Sequence, residues 1–175
     1  MTTHHHNRAF GGIAAAHPLY TPEQRKRRDE SVWTLVQGVL APVQLLVCLV
    51  SVALIVRTLA TGEDVWLANA SVLLKTALLL TIMVTGSIWE KVVFDAWLFA
   101  KPFFWEDVVS MGVIALHLLY VAALFGGWLA PVPLLLLALA AYAAYAINAV
   151  QFLLKLRAAR LSAPAPGNLV MGEAA

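Results

Sequence analysis

Polarity along the chain divides it into long apolar stretches separated by short polar ones. Ser31 to Val56 carries no charged residue, Val65 to Trp89 carries one, Lys75, and Val108 to Leu154 carries none if His117 is neutral. A bilayer is crossed by about 20 apolar residues, so the last stretch is long enough for two crossings. Gly126-Gly127 and Pro131-Val132-Pro133 divide it, because paired glycines and spaced prolines break helix and favour turns. The pattern predicts an all-α integral membrane protein, a four-transmembrane-helix bundle with spans at about 32–57, 66–89, 108–128 and 134–156.

Within the spans the polar residues are periodic. Thr34, Gln37, Ala41, Gln44, Cys48 and Ser51 alternate at steps of three and four, which places them on one helix face. Two glutamines in hydrocarbon are costly unless they face protein or ligand. Gln37 and Gln44 therefore either hydrogen-bond a neighbouring helix or line a pocket, and Pro42 between them is expected to kink the span. In the third span Glu106, Ser110, Val113, His117 and Tyr120 repeat the spacing, so one face carries a carboxylate, a hydroxyl, an imidazole and a phenol. In the fourth, Asn148, Gln151 and Lys155 share a face near Tyr145 and Phe152. Lys75 in the second span reads first as a side chain that snorkels outward, with burial as a functional charge the alternative. Thr81, Thr85, Gly86 and Ser87 let another helix approach closely.

Between the second and third spans lies WEKVVFDAWLFAKPFFWED, Trp89 to Asp107, with four acids, two lysines and seven aromatics. Its ends repeat each other: Trp89-Glu90-Lys91-Val92-Val93 and Trp105-Glu106-Asp107-Val108-Val109. One glutamate thus leaves a span and another enters the next at the same depth. The segment is expected to be an aromatic and acidic loop, or a short interfacial helix followed by a turn at Pro102. A membrane-surface belt accounts for the aromatics; it accounts poorly for four acids, which anionic lipid repels.

Composition agrees: 61% of residues are hydrophobic and 13% charged, with a mean hydropathy of +0.79, against roughly 45–50% apolar residues in soluble domains. The net charge of +2 matters less than its placement. Arg8, Arg25, Lys26, Arg27 and Arg28 precede the first span, Lys91 and Lys101 lie in the central segment, and Lys155, Arg157 and Arg160 follow the last. By the positive-inside rule both termini and the central loop face the cytoplasm. The basic run reads as this orientation signal with weak attraction to anionic headgroups, not as a nucleic-acid surface, since nothing aromatic or globular accompanies it. Cys48, the one cysteine, cannot form an internal disulfide, and no CxxC, HExxH, glycine-rich phosphate loop or GxSxG occurs. The histidines at 4–6 are weak evidence for a metal site. A cleaved signal peptide is not expected, because the first apolar run starts beyond residue 30. Residues 1–20 are expected to be a flexible head, 21–161 the single membrane domain and 162–175 a flexible tail. Thr21-Pro22-Glu23-Gln24 is a helix start, with a threonine cap and proline at the first position.

The polar stripes converge on the cytoplasmic half of the bundle, below the Glu90 and Glu106 pair. A polar chamber with an aromatic rim suits a flat amphipathic molecule arriving from the membrane. It offers acids beside aromatics in low dielectric, where a carboxyl stays protonated and acts as a general acid. That is acid–base chemistry with water as the second reagent.

Four strings carry a family resemblance: LYTPEQRKRRDESVWTLVQGVLAPVQ (19–44), TIMVTGSIWEKVVF (81–94), LFAKPFFWEDVVSM (98–111) and YAINAVQFLLKLRAARL (145–161). They resemble the 3-vinyl (bacterio)chlorophyllide hydratase family of bacteriochlorophyll biosynthesis over roughly residues 18–161. The resemblance implies a hydro-lyase that adds water to the C3 vinyl group of chlorophyllide a, giving a 1-hydroxyethyl group. It implies a tetrapyrrole substrate that brings its own magnesium, water as co-substrate and no further cofactor. It also implies a multi-pass protein of the bacterial cytoplasmic or intracytoplasmic membrane. Its partners would be the bilayer, and also a second copy of the chain and neighbouring enzymes of the pathway.

Such a hydration protonates the terminal vinyl carbon, leaves a cation delocalised into the macrocycle, and ends with water attack assisted by a carboxylate. Two carboxyl groups in different protonation states are required. Glu106 and Glu90 are the candidates, with Asp107 or Asp95 as substitute, and His117 or Tyr120 holding the water or contacting the central magnesium. Trp89, Trp105, Phe103 and Phe104 would stack on the ring, Lys91 or Lys101 would meet the propionate, and Gln37, Gln44, Asn148 and Gln151 would line the chamber. A non-enzymatic pigment or quinone carrier, or an assembly factor, is the competing reading, with His117 as axial ligand. A transporter fits less well, since the spans show no inverted repeat.

Overall fold

The computed structural model describes residues 19–161, with side chains to 158. Five helices follow one another: α1 (Pro22–Glu30), α2 (Val32–Thr61), α3 (Val65–Phe94), α4 (Phe104–Gly126) and α5 (Pro131–Leu161). The last four are long and apolar enough to cross a membrane. They form two antiparallel hairpins, α2 with α3 and α4 with α5, packed against each other. The head and tail outside 19–161, with the three histidines, lie beyond the described residues.

Each boundary has a local cause. Thr21 caps α1 in a full capping box, its hydroxyl accepting from the Gln24 N–H while the Gln24 side chain accepts from the Thr21 N–H. Ser31 then ends α1 in extended backbone and caps α2 through the Trp33 N–H. Pro131 and Pro133 do not keep α5 out, as expected from their spacing, but sit in its first turn, where the missing N–H groups had no helical partner. The central segment forms no separate interfacial helix. α3 runs on to Phe94 instead, and residues 95–103 make turns before α4.

The polar stripe of α2 faces α3 and is used helix to helix. Thr34 Oγ1 accepts from the Trp89 indole N–H (2.9 Å), Gln37 Nε2 donates to Thr85 Oγ1 (2.8 Å), and Ser51 and Ser71 hydroxyls share a bond of 2.6 Å. Gly86 lies beside the Gln37 amide, where a Cβ would stand 3.8 Å away, an ordinary van der Waals contact.

Lys75 does not snorkel outward. It is fully buried. Its ammonium donates to Gln44 Oε1 (3.1 Å) and lies 3.6 Å from the centre of the Tyr145 ring. Ten residues into α3, it is too deep for its stem to reach either end. Ser51 also bonds Tyr142 Oη at 2.7 Å, and Tyr120 Oη donates to Asn69 Oδ1 at 2.8 Å. Polar contacts therefore continue into the half of the bundle near the α2–α3 turn rather than gathering only at the end that carries Glu90. Gln44→Leu removes the neutral acceptor from a buried ammonium and should cost about 1–3 kcal/mol. Lys75→Met, which removes the charge as well, should cost less; melting temperatures in detergent compare the two.

Candidate active site

The end of the bundle formed by the last turn of α3, the loop 95–103, the first turn of α4 and the end of α5 holds three buried carboxylates. Glu90 is 6% exposed, Asp107 5% and Glu106 9%. Glu106 and Asp107 are adjacent in sequence, so a helix turns them about 100° apart and gives them different neighbours.

Asp107 faces Glu90. Their carboxyl groups are close enough to hydrogen-bond each other, and consecutive backbone N–H groups hold them: Phe99 donates to Asp107 Oδ2 (2.9 Å) and Ala100 to Glu90 Oε2 (3.1 Å). Phe99 has φ of 57°, a conformation that a bulky residue adopts only at a cost of about 1–3 kcal/mol. That turn aims two successive N–H groups at the carboxyls, a nest for negative charge. Two carboxyls in contact and shielded from water repel if both ionise, which favours the protonated form of one of them.

Glu106 faces α5. Its Oε2 accepts from Lys155 Nζ at 2.7 Å, a charge-assisted bond. Lys155 also lies 5.3 Å from the Phe103 ring centre. Within one turn of α4 the chain thus places one carboxyl against Glu90 and another against Lys155.

Aromatic rings wall this end. Trp89 and Phe103 meet edge to face at 5.7 Å, Phe103 stacks on Phe152 at 5.9 Å, and Phe94 touches both Trp89 and Phe103. Tyr20, grouped by sequence with the flexible head, is buried, stacked on Phe94 at 5.6 Å and covered by the Arg28 guanidinium at 4.7 Å. Burial raises its phenol above the ordinary value, and Arg28 opposes the rise. Trp105 and Phe104 belong to another surface: Trp105 is 71% exposed, and Phe104 touches Phe99 and Trp105. Lys91 is tied to Asp95 by a bond of 2.6 Å at the exposed end of α3, where the ammonium lowers the Asp95 carboxyl. Lys101 is exposed on the loop.

The α4 and α5 stripes face each other. Asn148 Nδ2 donates to Ser110 Oγ at 2.7 Å, one turn beyond Glu106, and Gln151 lies between Asn148 and Lys155 on α5. His117 is buried, its Nδ1 on the Val113 carbonyl at 2.8 Å and its ring 5.7 Å from Tyr142. An apolar groove of about 420 Å³ runs beside this pair of helices, lined by Val109, Gly112, Val113, Leu116, Ala144 and Ile147. Gln37, Gln44 and Tyr120 are engaged with neighbouring helices and are not brought to the carboxylate end.

Sequence reasoning did not single out Tyr20, Phe152 or Lys155 as site residues, nor the N–H groups of Phe99 and Ala100. Lys155 already stands on the Asn148 and Gln151 stripe in the sequence, which does not show that it meets Glu106; the N–H pair has no sequence signal, because it depends on one backbone angle.

Comparison with known proteins places the chain. A family model described as 2-vinyl bacteriochlorophyllide hydratase matches residues 20–158. A protein of that name from Cereibacter sphaeroides is 63% identical over 144 residues, 82% of this chain and 89% of that protein. Another from Rhodobacter capsulatus is 59% identical over 155 residues, 87% of this chain and 90% of its own. No solved structure matches.

Proposed function

The chain belongs to the 2-vinyl bacteriochlorophyllide hydratase family and is a hydratase of bacteriochlorophyll biosynthesis, and we propose that the end of its bundle carrying Glu90, Asp107 and Glu106 is where water is added. The vinyl-bearing carbon is 2 in that name and C3 in the numbering used above. The observation that carries the reading is the pair of unlike carboxyl environments made by two adjacent residues: Asp107 set against Glu90, and Glu106 paired with Lys155.

In this mechanism the Glu90–Asp107 pair gives its proton to the terminal vinyl carbon. Positive charge appears on the carbon beside the macrocycle, which delocalises it. Trp89, Phe103 and Phe94 offer π faces to the ring and its charge, and the aromatic wall limits the water that would compete for the proton. Water then attacks the cation, and Glu106 takes the proton released. The two carboxyls finish with exchanged protonation and are reset through solvent.

Chlorophyllide a is the substrate, and its propionate would be met by Lys101 or Lys91 at the mouth. His117 is the candidate contact to the substrate's magnesium, since its Nδ1 is engaged and its Nε2 is buried with no protein partner. The basic α1 and the charges around this end support an orientation with both termini and the site toward the cytoplasm in a bacterial inner or intracytoplasmic membrane.

Detergent-solubilised protein incubated with chlorophyllide a tests the reading: a blue-shifted red band and a product heavier by one water support it. A perturbed spectrum without a mass change would show a pigment carrier instead. Lys155→Met should lower turnover about tenfold to a hundredfold. Without the ammonium at 2.7 Å, Glu106 is no longer held in place to receive the proton from water. Turnover with chlorophyllide a, compared with wild type, checks this.

A further inference from the structure

We infer that Asn148 and Gln151 hold the water that adds to the vinyl group, a step that rests on the hydratase reading above. Asn148 is 8% exposed, and its amide is fixed by the bond from Nδ2 to Ser110 Oγ. That bond leaves Oδ1, buried and without a hydrogen-bond partner in the protein; Gln151 Oε1 is in the same condition. The two residues are three apart on α5, so their side chains are neighbours on one face. Lys155, one turn further on that face, holds Glu106, and Ser110 is one turn from Glu106 on α4.

Buried polar atoms are nearly always paired, and here two carbonyl oxygens one turn apart are not. Both can only accept. They select a neutral O–H donor and disfavour the propionate, whose negative oxygens would meet negative ends of the amide dipoles. Water is the donor that the reaction consumes. The water gives one O–H to the amide oxygens and the other to Glu106. As its lone pair forms the C–O bond to the cation, the O–H facing Glu106 breaks, its electrons stay on oxygen and the proton passes to the carboxylate. The O–H on the amides becomes the hydroxyl of the product. Holding the water on one side of the cation also selects the face attacked, so these amides set the configuration of the new alcohol.

Full-length Asn148→Leu and Gln151→Leu proteins, in detergent with chlorophyllide a, test this by turnover, pigment spectrum, stereoisomer ratio and the share of 1-methoxyethyl product formed when methanol is added. Each variant should bind pigment, turn over about tenfold to a hundredfold more slowly, drift toward equal stereoisomers and yield more methoxy product than wild type, because bulk nucleophile now reaches the cation. A wild-type stereoisomer ratio and methoxy share in the variants, whatever the turnover, would overturn the inference and leave a structural role. Should Asn148→Leu fail to fold, Gln151→Leu, only partly buried, gives the same readings. If wild-type protein adds no water at all, the hydratase reading itself falls; hydration by wild type with unmoved ratios removes this inference alone.

Discussion

Glutamine at position 90 is expected to lower hydration by about a hundredfold to ten-thousandfold, the range that a positioned general acid contributes, while pigment binding survives. The amide has nearly the shape of the carboxyl and can accept the Ala100 N–H at 3.1 Å as Glu90 does. What it lacks is a proton to give the vinyl carbon. Asp107 would remain as a lone carboxyl facing a neutral neighbour, without the like charge that makes the pair share a proton. Asp107→Asn should act in the same direction for the same reason. Product mass gives turnover, and the substrate's absorption shift gives binding. Turnover of Glu90→Gln close to wild type would remove the pair from the acid role.

Glu106→Gln should be as damaging to turnover, by a separate cause: an amide cannot take the proton that water loses. This variant also strands the Lys155 ammonium, whose side chain is 27% exposed, so part of any defect could come from stability. Adding Lys155→Met separates the two. The double variant removes both charges and should recover melting temperature relative to Glu106→Gln, whereas turnover should stay lost. Recovery of turnover along with stability would show that Glu106 matters for its ion pair and not as a base.

Much of the architecture was legible in the polarity of the sequence. Four charge-poor stretches, a Thr21 capping box and the Gly126-Gly127 break needed nothing beyond helical geometry, and the stripes on α2, α4 and α5 each face a neighbouring helix. Lys75 was read wrongly because snorkelling depends on depth and on the neighbour within reach; Gln44 and Tyr145 supply a buried environment that no local pattern reveals. The site was legible as a region more than as a set of contacts. The repeat of Trp-Glu at 89–90 and 105–106 drew attention to Glu90 and Glu106 as a pair. The structure sets Asp107 against Glu90 and turns Glu106 toward Lys155. Which of two adjacent acids faces α3 is decided by the rotation of α4 about its axis, fixed by packing of Phe103, Val113 and Tyr120, and sequence spacing cannot supply it. Trp105 belongs with this: the echo equates it with Trp89, yet the same rotation leaves it at the surface.

The most direct test of the account is where the solvent's hydrogen goes. Wild-type protein turning over chlorophyllide a in deuterium oxide should place one deuterium on the terminal carbon of the former vinyl group, with turnover slower than in light water. Glu90→Gln should lose that labelled product. A terminal carbon without deuterium, or Glu90→Gln forming the labelled alcohol at the wild-type rate, would contradict protonation of the vinyl group by the Glu90–Asp107 pair.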